Sequence, residues 1–204
     1  MKFNVSLDAS ELNELLNLTK HSPSLHQKLA KTKLESHEDV SEFNVKGMVD
    51  FLLLIETLKS EKRTGWVRKG VPNPESIADH MHRMAIIAML FEQDRRDLDV
   101  SKCVMIAAVH DLAEAIVGDI TPHDPKFSVK HDLEKVLYCL FFQQDAILLM
   151  NNLVGTRFQL IKELYFEYEE GRTSESQFVK QIDKLEMLLQ AFSYKESKYG
   201  VSIL

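Results

Sequence analysis

The residues best suited to chemistry in this sequence are His110, Asp111 and Glu114, which lie within one largely apolar segment. In a helix, His110 and Glu114 lie four residues apart on one face, and Asp111 is adjacent to His110, so the three side chains can face one point. Imidazole and carboxylate groups are good ligands for a divalent transition metal, and a carboxylate that does not bind the metal can transfer protons. Taken alone, however, a His-Asp pair is more often a core histidine beside a solvated aspartate.

A single helix over residues 101–117 is predicted to carry these three side chains. Gly118 ends this helix, as a glycine often does after the last helical turn. Residues 119–122 then form a turn beside the same helix end. Asp119 has two interpretations, since it can hydrogen-bond its own backbone in the turn or belong to the site.

His80 also lies in a helical setting. Ser76 and Asp79 have the spacing of a capping box, with Asp in place of the usual Glu, and they predict a helix over residues 77–91. His80 shares the apolar stripe of this helix and faces inward, whereas His82 falls off the stripe and is expected to be exposed. A histidine in this position is more often a core residue with a hydrogen-bond partner than a metal ligand.

Asp183 is a carboxylate placed between apolar neighbours. It lies on a helix predicted over residues 174–194, and the residues four before it and four after it are Val179 and Met187. An unpaired buried charge is costly, so Asp183 needs a partner, and a metal ion or a lysine is the obvious one.

The remaining periodicity predicts an all-α fold of about six helices. Residues 47–58 are apolar nearly all round and predict a buried helix, and two further helices are expected over residues 129–150 and 157–170. The apolar stretch 136–150 is expected to be core, with an interface as the alternative. No segment alternates with the period of two that is typical of strands.

Composition indicates one domain and argues against some classes of partner. The chain has 204 residues, 45% of them hydrophobic, and a formal net charge of −6. We expect a polar N-terminal tail over residues 1–44 and one globular domain over residues 45–204. The acidic balance argues against binding a nucleic-acid polymer, and the most apolar run is too short and too polar to span a membrane. Cys103 and Cys139 have no paired spacing and are expected to be buried thiols, which suits a cytoplasmic protein.

Arg63 and Trp66 flank a turn at Gly65 and have two interpretations. They are either a surface arginine and a tryptophan that covers the core, or a guanidinium for a phosphate beside an aromatic plane for a base or sugar. The residues around them do not separate these two alternatives.

Taken together, these residues resemble the HD-domain phosphohydrolases, whose metal signature is a histidine, then a His-Asp pair, then a distant aspartate. Here that order is His80, His110-Asp111 and Asp183. Further blocks typical of the 5′-deoxynucleotidase subgroup recur in the same order. They are Arg63-Thr64-Gly65-Trp66, Pro74-Glu75-Ser76, Asp79-His80-Met81, Glu114, Gly118-Asp119-Ile120 and Phe178-Val179-Lys180-Gln181. The resemblance spans residues 45–194 and implies a helical HD domain that hydrolyses phosphate esters.

The resemblance implies that the protein binds one divalent cation, of manganese, cobalt, magnesium, iron or zinc. The four implied ligands are His80, His110, Asp111 and Asp183. The cation would lower the pKa of a bound water, and the resulting hydroxide would attack the phosphorus of a nucleotide. Glu114 would orient the water or pass a proton, and Arg63 would stabilise charge on the phosphoryl oxygens.

The resemblance also implies roles in binding the substrate, which would be a deoxyribonucleoside 5′-monophosphate. Trp66 would pack against the nucleoside. The sugar side of the pocket would be lined by Asp119, Ile120, Thr121 and Pro122. In eukaryotic relatives Glu114, Asp119 and the Ile120 carbonyl look like ligands of a second ion, a role that competes with proton transfer by Glu114. The implied assembly is a homodimer.

Two other functions stay open at this point. A different HD phosphohydrolase would cleave a cyclic nucleotide, a nucleoside triphosphate or an alarmone, although the Arg63–Trp66 block favours monophosphates. A catalytically weak or inactive relative would bind a nucleotide or a partner without turnover, although all the ligand positions are filled. The chain departs from the family pattern in its apolar stretch 136–150, around residues 165–172 and in a shorter stretch after residue 194.

Overall fold

The computed structural model describes residues 45–120 and 132–196, except for the side chains of residues 132–142. Eight α-helices lie in these two ranges, and six of them have ten residues or more. In chain order they are α1 (Val45–Ile55), α2 (Thr64–Arg68), α3 (Ile77–Leu90), α4 (Val100–Val109), α5 (Glu114–Val117), α6 (Asp132–Val154), α7 (Gln159–Glu170) and α8 (Ser174–Glu196). The described residues contain no β-strand, only an isolated bridge between Lys62 and Ser76. The all-α prediction is confirmed.

The core is built around α3 and α4, which pack along each other, and α8 contacts both helices. Its buried side chains come from α3, α4, α7, α8 and the loop before α4. They are Met84, Ile87, Ala88, Leu98, Cys103, Ile106, Ala107, Leu164, Tyr168, Phe178, Val179 and Ile182. Burying a large apolar side chain stabilises the fold by about 1.5–3 kcal/mol. This packing fixes α3, α4 and α8 relative to one another, and these are the elements on which the candidate site depends.

The start of α3 is formed by the predicted capping box. The Asp79 backbone N–H donates to the Ser76 hydroxyl at 3.1 Å, and the Ser76 backbone N–H donates to Asp79 Oδ2 at 2.8 Å. These two bonds satisfy backbone donors that the first helical turn leaves without partners. His80 therefore lies in the first turn of α3, where it is fully buried, and His82 is exposed. Both placements agree with the predictions.

The prediction of one continuous helix over residues 101–117 is wrong. Helix α4 ends at Val109, and a tight turn precedes α5. In this turn Leu112 N donates to Val109 O at 3.1 Å, and Glu114 N donates to Asp111 O at 3.0 Å. Hydrogen bonds over three residues tighten the backbone, so the ideal helical spacing of four residues does not apply here. Leu112 continues the buried face through the turn, and so the apolar periodicity does not reveal the break.

The predicted helix over residues 47–58 is present, but the prediction that it is buried is wrong for one of its faces. Helix α1 buries Phe51 and Leu54, and Phe51 packs edge-to-face on Phe158 with the ring centroids 5.4 Å apart. Leu53, in contrast, is 65% exposed. An apolar composition on every face does not specify which face is covered, so the periodicity could not locate the buried side.

The two predicted C-terminal helices correspond to α7 and α8, and the predicted helix 129–150 corresponds to α6. Within the described part of α6, Ala146, Ile147 and Met150 are buried, as expected for core. The prediction for residues 1–44 and the side chains of residues 136–142 lie outside the described residues. Across the described ranges, every helix is too short or too polar to cross a membrane.

Candidate metal centre

The four predicted ligands converge from three parts of the fold. His80 comes from the first turn of α3, the His110-Asp111 pair from the turn after α4, and Asp183 from α8. His80 Nε2 lies 3.3 Å from Asp183 Oδ1 and 3.8 Å from Asp111 Oδ2, and His110 Nε2 lies 3.2 Å from Asp111 Oδ2. Ligand atoms of His80, His110 and Asp183 all lie within 4.8 Å of one another. The set has the residue types and the spacing of a divalent cation site.

The ring of His110 is oriented by its own helix. Its Nδ1 lies 3.0 Å from the backbone carbonyl of Ala107. A carbonyl oxygen can only accept, so Nδ1 must carry the proton, and in the neutral ring Nε2 then carries the lone pair. His110 is buried, and the other face of its ring packs on Tyr168 with the centroids 4.7 Å apart. The lone pair of Nε2 therefore points into the site.

The ring of His80 is oriented by a second carboxylate, Glu186. The His80 Nδ1 atom lies 2.6 Å from Glu186 Oε2. Burial alone would lower the pKa of His80, but the neighbouring carboxylates of Asp183 and Glu186 raise it to about 9. A cation at Nε2 would take the place of the proton that Asp183 attracts. This arrangement leaves Nε2 as the atom of His80 that can bind a cation.

The donor set fits a cation for a further reason. Among the described side chains, His80 Nε2 and His110 Nε2 are buried nitrogen atoms without a hydrogen-bond partner. A buried polar atom that lacks a partner costs about 1–3 kcal/mol. Here two such atoms face Asp111 and Asp183, so a cation between the rings would satisfy both nitrogens and be balanced by the carboxylates.

The two aspartates are held in their charged forms. Burial works against the charge of Asp111, but His110 and Arg63 outweigh it and keep the pKa of Asp111 well below its usual range. The pKa of Asp183 is also lowered: burial opposes this shift and the facing ring of His80 drives it. Tyr168 donates its hydroxyl to Asp183 Oδ2 at 3.1 Å. Asp183 thus has a histidine and a tyrosine as protein partners, where the sequence suggested a metal ion or a lysine.

Glu114 lies at the start of α5 and is buried beside the ligand set. Its Oε2 atom has no hydrogen-bond partner among the described residues. Burial raises the pKa of Glu114 well above its usual value, and the nearby charges of Asp111 and Asp119 raise it further. A carboxyl group in this environment can hold a proton, and both predicted roles of Glu114 stay predictions.

Arg63 lies beside Asp111 at the edge of the site. Its Nη1 atom donates to Asp111 Oδ2 at 3.3 Å, and its side chain is mostly buried. Burial would lower the pKa of Arg63, but Asp111, Asp119 and Glu114 outweigh that effect and raise it. Arg63 is therefore a fixed positive charge at the predicted cation site, as the phosphate-binding interpretation requires.

Asp119 ties the loop after α5 to the start of α2. The Thr64 backbone N–H donates to Asp119 Oδ2 at 2.6 Å, and the Thr64 hydroxyl donates to the Asp119 carbonyl at 2.7 Å. Gly118, with φ of 78°, makes the left-handed turn that brings Asp119 to this position. Asp119 therefore has a structural contact, and its predicted contact with the substrate stays a prediction. Ile120 follows it in the described chain, whereas Thr121 and Pro122 lie outside the described residues.

Trp66 lies on α2 and is 9% exposed. Its Nε1–H donates to Glu75 Oε1 at 2.9 Å, and its ring packs edge-to-face on Tyr194 with the centroids 5.4 Å apart. In this structure Trp66 covers the core and supports the loop before α3, which is the first of its two interpretations. Its packing against a nucleoside stays a prediction.

The sequence interpretation missed the residues behind His80. Glu186 contacts His80 directly, and Arg83 contacts Glu186. One signal was present: Glu186 lies four residues after Ile182, so it falls on the buried stripe of α8. A glutamate on a buried stripe needs a partner for the same reason as Asp183.

The fold and the site together define the class of protein. The HD domain family profile matches residues 55–202, which is most of the chain. The chain therefore belongs to the HD domain family, as its motifs indicated.

Individual relatives narrow this assignment further. The chain is 44% identical over 154 residues to the 5′-deoxynucleotidase hdd1 of Schizosaccharomyces pombe, covering 75% of each chain. It is 44% identical over 156 residues to the 5′-deoxynucleotidase HDDC2 of Homo sapiens, covering 76% of this chain and 71% of the other. A conserved hypothetical protein from Pyrococcus furiosus superposes with a TM-score of 0.60 at 34% identity, over 76% of this chain and 83% of the other. The predicted resemblance to the 5′-deoxynucleotidase subgroup is confirmed.

Proposed function

We propose that the protein is a metal-dependent 5′-deoxynucleotidase, which hydrolyses deoxyribonucleoside 5′-monophosphates to deoxynucleosides and phosphate. The observation that carries the proposal is the pair of buried His80 and His110 nitrogens without partners, facing Asp111 and Asp183 beside Arg63. This set combines cation ligands with a guanidinium for a phosphoryl group. The names of the relatives in fission yeast and in human support the choice of substrate.

His80, His110, Asp111 and Asp183 would hold the divalent cation. Mn²⁺, Co²⁺, Mg²⁺, Fe²⁺ and Zn²⁺ are the ions to compare. When bound, such a cation supplies Lewis acidity and lowers the pKa of a water molecule. Both histidine rings, with protons on Nδ1, would offer the lone pairs of Nε2 to the cation.

Two side chains besides the metal ligands take part in the proposed reaction, Arg63 and Glu114. Arg63 donates to the phosphoryl oxygens and offsets the charge that builds up on them as the attacking water forms its bond to phosphorus. Glu114, buried with Oε2 unbonded, orients that water and accepts its proton. The bond between phosphorus and the 5′-oxygen breaks, and the 5′-oxygen leaves as the hydroxyl of the deoxynucleoside by taking the proton that Glu114 accepted from the water. In this proposal the nucleoside is bound by Trp66 and residues 119–122.

The first test measures phosphate release from 5′-dNMPs, 5′-NMPs, 3′-dNMPs and dNTPs. Each substrate is incubated with Mn²⁺, Co²⁺ or Mg²⁺, and with EDTA, for the wild type and Asp111→Asn. We expect metal-dependent release from the 5′-dNMPs that EDTA and Asp111→Asn abolish, because Asp111 contacts both His110 and Arg63. Preferential cleavage of dNTPs would assign the protein to another class of HD phosphohydrolase. No release from folded, metal-loaded protein would leave nucleotide binding without turnover as the function.

We also propose that the protein acts in the cytoplasm as a homodimer, without a nucleic-acid polymer or a membrane as partner. The buried free thiol of Cys103 suits a reducing compartment, and burial raises its pKa to about 11. Leu188 and Phe192 are exposed on α8 and offer apolar surface for an interface. Sedimentation of the full chain is expected to give the mass of a dimer, and a monomer at micromolar concentration would contradict this.

A further inference from the structure

Glu186 is a fully buried carboxylate that the proposed reaction does not use. It lies on α8 three residues after Asp183, and its exposed fraction is 0%. A buried charge of this kind is tolerated only when it is paired and hydrogen-bonded. Its partners therefore indicate why it is there.

The two oxygens of Glu186 have different partners. Oε2 lies 2.6 Å from Nδ1 of His80, and Oε1 accepts from Nε of Arg83 at 2.8 Å and from Nη2 of the same guanidinium. A carboxylate that is paired with a guanidinium offers its other oxygen as an acceptor, so the Nδ1 atom of His80 donates to Glu186 Oε2.

A ring of outer partners holds Arg83 in place. Its Nη2 atom also donates to Gln190 Oε1, and it lies 3.5 Å from Glu75 Oε2. Glu75 is in turn bonded by the indole N–H of Trp66 at 2.9 Å. A chain of contacts thus runs from Trp66, in the block predicted to meet the substrate, to His80.

This cluster also has the spacing of a second metal site. Glu75, His80 and Glu186 each offer one ligand atom within 4.8 Å of the others. The guanidinium of Arg83 contacts both carboxylates, however, and supplies the positive charge that a cation would supply. Nδ1 of His80 also faces Glu186 as a donor, so it has no lone pair for a metal. The cluster is therefore a support for the first site.

We propose that Glu186 is the positioning residue that prepares His80 for the cation. By accepting the Nδ1 proton, Glu186 sets the tautomer and the angle of the ring, so that the Nε2 lone pair faces Asp111 and Asp183. Arg83 fixes the carboxylate in turn. A carboxylate behind a metal-binding histidine also makes the ring a better ligand. This inference rests on the proposed metal centre and adds a residue that no predicted ligand set contained.

Glu186→Gln tests the proposal well, because glutamine has the shape of glutamate but replaces one acceptor oxygen by a donor nitrogen. Its single oxygen cannot accept from His80 and from Arg83 together. If the oxygen turns to Arg83, the amide nitrogen faces Nδ1 as a donor and favours the tautomer whose proton is on Nε2. If the oxygen turns to His80, two donors oppose each other at Arg83. Removing the guanidinium in Glu186→Gln/Arg83→Leu resolves this conflict in favour of His80.

The experiment measures the affinity of the full chain for Mn²⁺ by calorimetric titration. The variants are Glu186→Gln, Glu186→Leu and the double variant, and Gln181→Leu serves as the control, since Gln181 is exposed on the same helix. We expect Glu186→Gln and Glu186→Leu to weaken binding by about 10–100-fold. The control should bind like the wild type, and the double variant should bind more tightly than Glu186→Gln.

A second measurement uses the wild type alone and does not depend on how the variants fold. Nitrogen-15 NMR of the Zn²⁺-loaded protein should show a slowly exchanging, downfield Nδ1 proton for His80. Wild type that binds no metal would overturn both the proposed function and this inference. Tight binding by the wild type and equally tight binding by folded Glu186 variants would overturn this inference alone. A His80 ring that carries its proton on Nε2 would also overturn it. A double variant that binds Mn²⁺ more weakly than Glu186→Gln would do the same.

Discussion

At the residue scale, Arg63 is the charge that would distinguish the proposed phosphate site from a simple cation site. Its guanidinium is fixed beside Asp111, with Asp119 and Glu114 also near it. A guanidinium has several donors in one plane, whereas lysine offers a compact charge that binds one oxygen at a time. Replacing Arg63 by lysine therefore keeps the positive charge and removes the planar arrangement of hydrogen-bond donors.

We predict that Arg63→Lys lowers kcat/KM for 5′-dNMPs by about 100-fold, because one transition-state donor is misplaced. The affinity for Mn²⁺ should change little, since Arg63 is not a ligand. Steady-state kinetics and metal titration of the same preparations measure the two effects. The exposed Arg96→Lys variant is the control and should retain full activity. An unchanged kcat/KM in Arg63→Lys would remove Arg63 from the mechanism.

Glu114 has two competing roles that one variant separates. One oxygen of Asp119 already accepts a hydrogen bond from the Thr64 backbone. Asp119 therefore has only part of its carboxylate left for a second ion shared with Glu114. We therefore predict that Glu114→Gln keeps the number of bound ions and lowers kcat by about 10²–10⁴-fold, as expected for a lost acid–base group. Elemental analysis beside kinetics makes the comparison. Loss of one ion per chain would identify Glu114 as a ligand of a second metal.

The residues of the site divide into those that the sequence could predict and those that it could not. His80, His110, Asp111 and Asp183 follow from residue type and order, and the structure brings them together. Glu186 and Tyr168 are different, because their contacts with the ligands depend on how helices pack: Glu186 meets His80 across 106 residues of sequence, and Tyr168 meets Asp183 from the preceding helix. Residue types suggest that a buried carboxylate has a partner, but only the packing of α3, α7 and α8 identifies that partner.

At the scale of the elements, α4 and α7 are joined by an ion pair. Lys102 Nζ lies 2.7 Å from Glu167 Oε1, and Thr173 also donates to Glu167. Burial acts to raise the pKa of Glu167, but these hydrogen bonds outweigh it and lower the pKa below its ordinary value of 4.5. A carboxyl group with a lowered pKa stabilises the fold above its ordinary pKa. That contribution is lost as the pH falls through the lowered value.

We predict that Glu167→Gln lowers the free energy of unfolding at pH 7 by at most about 1 kcal/mol, because the pair is partly solvated. The difference from the wild type should be constant between pH 7 and pH 6 and should shrink below pH 4.5. Urea unfolding at several pH values measures it. Glu163→Gln, an exposed change on the same helix, should show a smaller and flatter difference. A difference that grows in acid would contradict the pairing.

The elements show where periodicity is informative. The start of α3 was predictable because the capping box is a local signal, formed by residues three apart. The turn at residues 110–113 was not, because Leu112 and Ala113 are buried apolar residues, as in α4. The exposed face of α1 was missed for a related reason, since an apolar helix carries no pattern that tells covered from exposed residues. Local chemistry predicted helix starts, whereas tertiary packing decided breaks and burial.

At the scale of the whole molecule, the site joins segments that lie far apart in the sequence. Asp183 comes from α8, and its partner His80 comes from α3 across the core. Because the ligand set exists only when these helices are packed, a cation at the proposed site would bind the folded chain and not the unfolded one. Binding of that kind stabilises the fold by RT ln(1 + [L]/Kd), about 2.7 kcal/mol at a free concentration of 100 times Kd.

We predict that saturating Mn²⁺ raises the unfolding temperature of the wild type by about 5–10 °C, from that free energy and the usual dependence for a chain of this size. Asp183→Asn should lose most of the shift, because an amide is a poorer ligand and no longer offsets the cation's charge. Asp97→Asn, which changes an exposed carboxylate outside the site, should keep it. Differential scanning calorimetry with Mn²⁺ and with EDTA provides the comparison. An equal shift in Asp183→Asn would mean that the ion binds elsewhere. Stabilisation by the metal would then not depend on the site that α3, α4 and α8 form together.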